Sequence, residues 1–137
     1  MSTVQDAIEA IQDIAIACGV RYAPDEPPDK ITQGPMAITY ARGGTWKSAA
    51  GMKTGIHTII AEFHMPLRSF ANDLALVRPY IETFANAILA DPTLAGTVGG
   101  DGGVPMTYEY FMTTWPSNVY TIGYRFIITV KQQSAIT

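Results

Sequence analysis

Residues 20–46 read VRYAPDEPPDKITQGPMAITYARGGTW, and this stretch decides how the chain is organised. It leaves a helix, crosses an acidic connector and enters a strand that ends in Gly43-Gly44. Pro24, Pro27 and Pro28 remove three backbone donors and fix three φ angles, so the connector reads as a stiff arm laid along a surface, neither helix nor ladder-forming strand. The segment contains no nucleophile, metal cage or phosphate cradle. Its chemistry is that of an assembly feature.

Upstream of the arm, Val4, Ile8, Ile11, Ala15 and Cys18 recur at steps of four and three, the spacing of an amphipathic helix. Ser2 with Gln5 reads as its capping box and Gly19 as its stop. Downstream, Ala37–Arg42 is expected to be a short strand and Ile56–Met65 a longer one. Ile59, Ala61, Phe63 and Met65 share one face of it, opposite Ile56, Ile60, Glu62 and His64. The intervening GGTWKSAAGMKTG predicts a long flexible tip on a projecting hairpin. Pro66 ends the second strand, and Ser69 is placed to cap a helix with an apolar stripe of Phe70, Leu74, Val77, Ile81, Phe84 and Ile88. Pro79 predicts a kink near Arg78, or two shorter helices meeting there. TLAGTVGGDGG, residues 93–103, is too glycine-rich to suggest regular structure. The closing segment reads as a second hairpin, Met106–Trp115 and Val119–Lys131 around Pro116-Ser117-Asn118. In its last strand Tyr120, Ile122, Tyr124, Phe126, Ile128 and Val130 form the apolar face. The expected fold is an α+β two-layer sandwich in the order α-β-β-α-β-β, with a mostly antiparallel four-stranded sheet covered on one face by two helices.

At 137 residues, 47% of them hydrophobic, the chain suits a single domain over residues 1–137 with a sizeable core. A net charge of −3 is too small to suggest nucleic-acid binding by bulk electrostatics, and no apolar run approaches the roughly 20 residues that span a bilayer. Asp6, Glu9 and Asp13 occupy the region where a signal peptide needs a basic end and an apolar run, which points to a protein made in the cytoplasm. The single cysteine, Cys18, reads as a small buried hydrophobe. The charge is unevenly spread. Residues 1–30 hold six acids against Arg21 and Lys30, whereas residues 31–68 hold Arg42, Lys47, Lys53 and Arg68 against Glu62. Such opposite patches suit copies packed head to tail.

Catalytic and cofactor signatures are missing. His57 and His64 lie seven apart in one strand, which sets them on opposite faces, and Glu62 with His64 supplies two ligands where a metal site needs more. The GGDGG run lacks the GK[ST] ending and a following helix. There is no GxSxG elbow. The chain is expected not to be an enzyme and to hold no cofactor or metal. The candidate functional residues are instead those of an interface: Arg42, Trp46, Lys47, Met52 and Lys53 on the hairpin, and Asp25, Glu26 and Asp29 on the arm. Trp46 leads them, because a large apolar ring on a polar tip is a natural anchor. Trp115 reads as hairpin-end packing.

RYAPDEPPDKI, AITYARGGTW, TGIHTIIAEFHMP, LVRPYIETFANAILADPTLAGTV and the final strand YTIGYRFIITVK, taken in order, resemble the tail terminator (tail completion, minor tail protein U type) family of long non-contractile-tailed phages. The resemblance runs from about Val20 to Lys131 and rests on order and texture, since none of these motifs is a catalytic signature. It implies a hexameric ring on the head-proximal end of the tail tube that stops tube polymerisation and offers a surface for head-tail joining. The implied partners are further copies of the chain, the tail tube protein, and a connector or head-completion protein. The implied location is the virion neck, after assembly in the host cytoplasm, with DNA passing through the ring without sequence-specific binding and no membrane involved. Two other readings compete: another neck component, such as a head-completion or connector-adaptor protein, and a small ligand-binding α+β domain.

Overall fold

The computed structural model describes residues 3–25, 28, 34–99, 104–115 and 119–136. Helix α1 (Val4–Ala17) is followed by strands β1 (Met36–Ala49) and β2 (Met52–Pro66), helices α2 (Phe70–Val77) and α3 (Tyr80–Leu89), and strands β3 (Met106–Thr114) and β4 (Tyr120–Ala135). The strands form one antiparallel sheet in the order β1-β2-β4-β3. This is the expected α+β arrangement. One face of the sheet carries Ile59, Ala61, Phe63, Phe126 and Ile128, packed against Ala7, Ile11 and Ala15 of α1 and Tyr80, Phe84 and Ile88 of α3.

The start of α1 lies one residue later than the Ser2–Gln5 reading. Thr3 is the cap: its Oγ1 accepts from the Asp6 amide at 3.2 Å, and the Asp6 carboxylate accepts from the Thr3 amide at 2.8 Å. A carboxylate in the first turn also complements the helix dipole, which a glutamine does not. Ser2 lies outside the described residues. Gly19 ends the helix as expected, at φ +102°.

The hairpin departs most from expectation. What reads as a flexible tip is continuous ladder, with Gly43 opposite Thr58 and the pairing running to Ala49 opposite Met52. A two-residue turn closes it, Ala50 and Gly51, both with positive φ (52° and 79°), the geometry that matches strand twist in a tight hairpin. The register shifts once, between Ala41 and Gly43, leaving Arg42 as the extra residue of a bulge. Gly55 provides room rather than mobility: a Cβ there would stand 2.6 Å from the Trp46 ring and collide with His57 Nε2.

Pro79 splits the second helix, and it sits at the N-terminus of α3, where its missing N–H costs nothing. The buried stripe keeps helical spacing across the break but takes Tyr80 in place of Ile81. Val77, Tyr80, Phe84 and Ile88 are buried, while Ile81 and Leu74 are half-buried and Phe70 is exposed. Ser69 makes no capping bond; the buried Asp73 caps α2 instead, its Oδ2 accepting from the Arg68 and Ser69 amides at 2.6 and 2.8 Å. Residues 91–99 are also more ordered than their glycines suggest, a run of turns that buries Leu94 and Val98. Gly100–Gly103 and the Pro116-Ser117-Asn118 turn lie outside the described residues.

Of the arm, Glu26, Pro27 and residues 29–33 lie outside the described residues, and the rest touches the sheet at two points. Tyr22 forms a single parallel bridge to Met36, and further on the Trp115 indole N–H donates to the Pro28 carbonyl at 2.8 Å. Tyr22, Met36, Ile38 and Trp115 make a second small apolar cluster, on the sheet face away from the helices.

Candidate functional site

The outer half of β1, residues 41–48, is exposed, and Trp46 is its largest group. The strand alternation turns Trp46 to the same face as its cross-strand partner Gly55, so the indole lies over the glycine. His57 meets it edge-on at 4.4 Å between ring centroids, and the Lys53 ammonium sits 4.6 Å from the ring centre. Cation–π and edge contacts of this kind are each worth about 0.5–1.5 kcal/mol. They fix the ring yet leave 51% of the residue exposed. Burial, and then the Lys53 charge, hold the His57 imidazole below its usual range, so at neutral pH the indole is flanked by one cation and one neutral ring.

The predicted interface residues are only partly gathered here. Trp46 and Lys53 touch, and Met52 adjoins the turn, half-buried. Arg42 is exposed at the bulge. Lys47 is exposed on the opposite face, paired with Thr54. Asp25 is exposed at the other end of β1, three residues past the Tyr22–Met36 bridge. Met36 and Trp46 are ten positions apart on the strand, roughly 30 Å. Glu26 and Asp29 lie outside the described residues.

A second constellation is invisible to motif searching. On the face away from the helices, a polar girdle crosses all four strands. The Tyr40 hydroxyl donates to Glu62 Oε2 at 2.8 Å, and Arg125 Nε donates to the same oxygen at 2.8 Å. Arg125 Nη1 continues to Glu109 at 3.3 Å. Glu62 Oε1 lies 3.0 Å from His64 Nε2, while His64 Nδ1 lies 3.0 Å from Thr121 Oγ1. An ionised Glu62 only accepts, so His64 donates to it from Nε2. Burial pushes the Glu62 carboxyl up, but donors from His64, Arg125 and Tyr40 outweigh it and hold the group at about 2. Burial and the Glu62 carboxylate together push the Tyr40 phenol up to about 12. Glu62, His64 and Thr121 have the order of an acid–base–hydroxyl relay, yet His64 and Thr121 are fully buried under Phe111 and Trp115, and the hydroxyl offers no approach to a substrate. The girdle ties strands together. The signal for it was present in IIAEFHM, where a charged and a titratable residue interrupt a buried run.

Elsewhere, a shallow groove of about 240 Å³ is lined by Thr54, Gly99, Lys131, Gln132 and Gln133, and Gln132 spends its amide N–H groups on the Thr3 and Thr97 carbonyls, 2.8 Å each. Among the described residues no helix is long and apolar enough to cross a membrane, and no group of three or more His, Cys, Asp or Glu is placed to hold a metal ion. No protein-family profile matches the chain, and no curated protein matches it in sequence.

Proposed function

We propose that this protein is a structural subunit that assembles through unlike surfaces into a closed ring, and that the ring caps the head-proximal end of a phage tail tube. The observation that carries the reading is Trp46: a half-exposed indole locked onto a rigid, solvent-facing hairpin by Lys53 and His57. A tryptophan that is fixed in place but left in water loses little entropy when a partner covers it, which is how interface anchors work. Lys53 gives the anchor a basic neighbour, and the exposed Arg42 and Lys47 make the rest of the hairpin basic. Asp25 lies at the other end of β1, and Glu9 and Asp13 are exposed on α1, so a head-to-tail contact that sets the arm against the hairpin brings opposite charges together and closes by rotation. The tail-terminator texture of residues 20–131 supplies the biological setting and the expectation of six copies.

Electron microscopy and light scattering of the purified chain test the ring, and co-sedimentation with purified tail tubes tests the capping. Annular particles that loosen as salt rises, and tubes that stop growing when the protein is present, are the expected results, since exposed ion pairs are screened over about 8 Å at physiological ionic strength. Trp46→Ala should leave the melting temperature nearly unchanged while reducing ring formation or capping. A chain that stays monomeric at high concentration in low salt, or a Trp46→Ala variant normal in both assays, sinks the reading.

A further inference from the structure

The sheet has two outer strands, β1 and β3, and they are guarded unequally. A free edge presents unpaired N–H and C=O groups to any passing strand, and proteins blunt such edges with bulges, prolines and basic side chains. β1 has all three kinds of protection: the Arg42 bulge, Pro35 just before its first residue, and the exposed Arg42 and Lys47. β3 has neither a bulge nor a basic side chain. Its sequence, MTYEYFMTT, holds no proline, lysine or arginine, and its ladder to β4 runs unbroken from Met106–Ile128 to Thr114–Tyr120. Its one charge, Glu109, is directed to the girdle and tied to Arg125.

The same strand carries a row of exposed apolar side chains. The helices cover β2 and β4 but leave Tyr108, Tyr110 and Met112 at 55%, 42% and 48% exposure, with Phe70 of α2 beside them at 51%. The rings are held in place: Tyr110 lies 6.1 Å from Tyr124 and 6.5 Å from Phe70, and Tyr108 lies 6.2 Å from both Tyr124 and Phe126. Side chains of this class bury about 150–250 Å² each, so four at half exposure leave on the order of 400 Å² open, already the size of the largest patch on an ordinary monomer.

We infer that β3 is a self-pairing edge, and that two copies of this chain join β3 to β3 antiparallel about a two-fold axis at Tyr110, making one continuous sheet from two four-stranded ones. Tyr110 is the midpoint of Met106–Thr114, so this register pairs every residue of the strand. It sets Tyr108 against the partner's Met112, Thr107 against the partner's Thr113, and Glu109 against the partner's Phe111. Moving the axis one residue, onto Glu109, would place that carboxylate opposite its own copy, a like-charge pair that a sheet disfavours. Moving it to Phe111 leaves the first residues of the strand unpaired. The row offers a foreign ligand no charge to recognise, whereas a second β3 matches it in length, in apolar spacing and in the lack of a bulge or basic side chain. The two-fold joint uses neither Trp46 nor Asp25, so it stands independently of the ring contact; if both form, two rings are held face to face.

Sedimentation velocity on the full chain tests this with two substitutions at the exposed Tyr110. Tyr110→Lys installs the missing guard and should halve the mass of the wild-type assembly, with the melting temperature unchanged, while Tyr110→Phe should keep the full mass. In a Cys18→Ser background, Tyr110→Cys should give a disulfide-linked dimer on mild oxidation and Thr107→Cys should not. The proposal is overturned if the wild type is monomeric at about 100 µM, if Tyr110→Lys retains the wild-type mass, or if Thr107→Cys cross-links in preference to Tyr110→Cys. Halving by Trp46→Ala but not by Tyr110→Lys assigns the contact to the hairpin or to another strand edge and overturns it equally.

Discussion

The two faces of the sheet are buried by different physics, and β2 builds both from consecutive residues. Phe63 points into the helices, where it stacks on Tyr80 at 4.7 Å and meets Phe84 and Phe126 at 4.8 and 5.5 Å. Its neighbours Glu62 and His64 point the other way and are as well hidden, yet they are satisfied by hydrogen bonds and charge. Burial on the helix side is non-directional and largely indifferent to pH. Burial on the far side holds only while every donor and acceptor keeps its partner. A strand buried on both faces can therefore be half oil and half salt bridge, and each half should fail in its own way.

The most severe break strikes where the two faces are closest. Gly123 on β4 stands opposite His64, and a Cβ at that position would run into the Phe63 carbonyl. Both groups belong to ladder backbone and cannot swing aside. Gly123→Ala should cost more than about 4 kcal/mol, enough to abolish cooperative unfolding at room temperature; a soluble variant with a wild-type circular dichroism melt would show that the β2–β4 spacing is wrong. Next comes the helix side alone. Phe84→Ala should cost about 3–5 kcal/mol in urea denaturation, independent of pH, and Glu82→Ala should be near neutral. Ile81→Ala locates the centre of the stripe: a cost near that of Phe84→Ala would put Ile81, rather than Tyr80, on the buried face.

The far side should answer to acid. Unfolded, Glu62 titrates near its ordinary 4.5; folded, it is held at about 2. A depressed carboxyl contributes stability that is complete above about 4.5 and is lost as pH falls toward 2, because the unfolded chain binds the proton first. Urea midpoints should therefore drop between about pH 6 and pH 3 in the wild type, and Glu62→Gln should flatten that limb while costing about 1–3 kcal/mol at neutral pH through donors left without their anion. A pH profile identical in the two proteins would remove the girdle from the energetics of the fold.

The helix side was legible in the sequence because repetition reports it. Steps of three and four marked α1 and most of α2–α3, and alternation marked β2 and β4. Two errors share one cause, which is that glycine and proline report locally what only tertiary context decides. The glycines of residues 43–55 read as flexibility, whereas Gly55 makes room for an indole and Gly51 turns a tight corner. Pro79 foretold a break, but the local pattern put Ile81 on the buried face, where packing against Phe63 puts Tyr80. The girdle was legible only in part. Glu62 and His64 share a face by alternation, but their partners Arg125, Thr121 and Tyr40 come from other strands, and no local spacing predicts a register. Of the interface residues, exposure agrees at Trp46, Arg42, Lys47 and Asp25, while the aromatic row of β3 was read as ordinary hairpin because period two does not say which face the helices stop short of.

The finest test lies at the rim of the girdle, where the far face meets water. Tyr40 is partly exposed, and its hydroxyl is one of three donors to Glu62. Tyr40→Phe removes that donor and little else, so it should cost about 0.5–1.5 kcal/mol at neutral pH, the smallest effect of the series. Its more telling consequence concerns the acid limb. With one donor gone, the Glu62 carboxyl should titrate higher in the folded state and closer to its unfolded value, so the pH-dependent part of the stability should shrink, while Arg125 and His64 preserve a remainder that Glu62→Gln does not. The three proteins should thus rank wild type, Tyr40→Phe, Glu62→Gln in the steepness of stability against pH between about 6 and 3. If Tyr40→Phe loses stability equally at every pH, the phenol acts by packing alone, and the far face differs from the helix side less than its hydrogen bonds suggest.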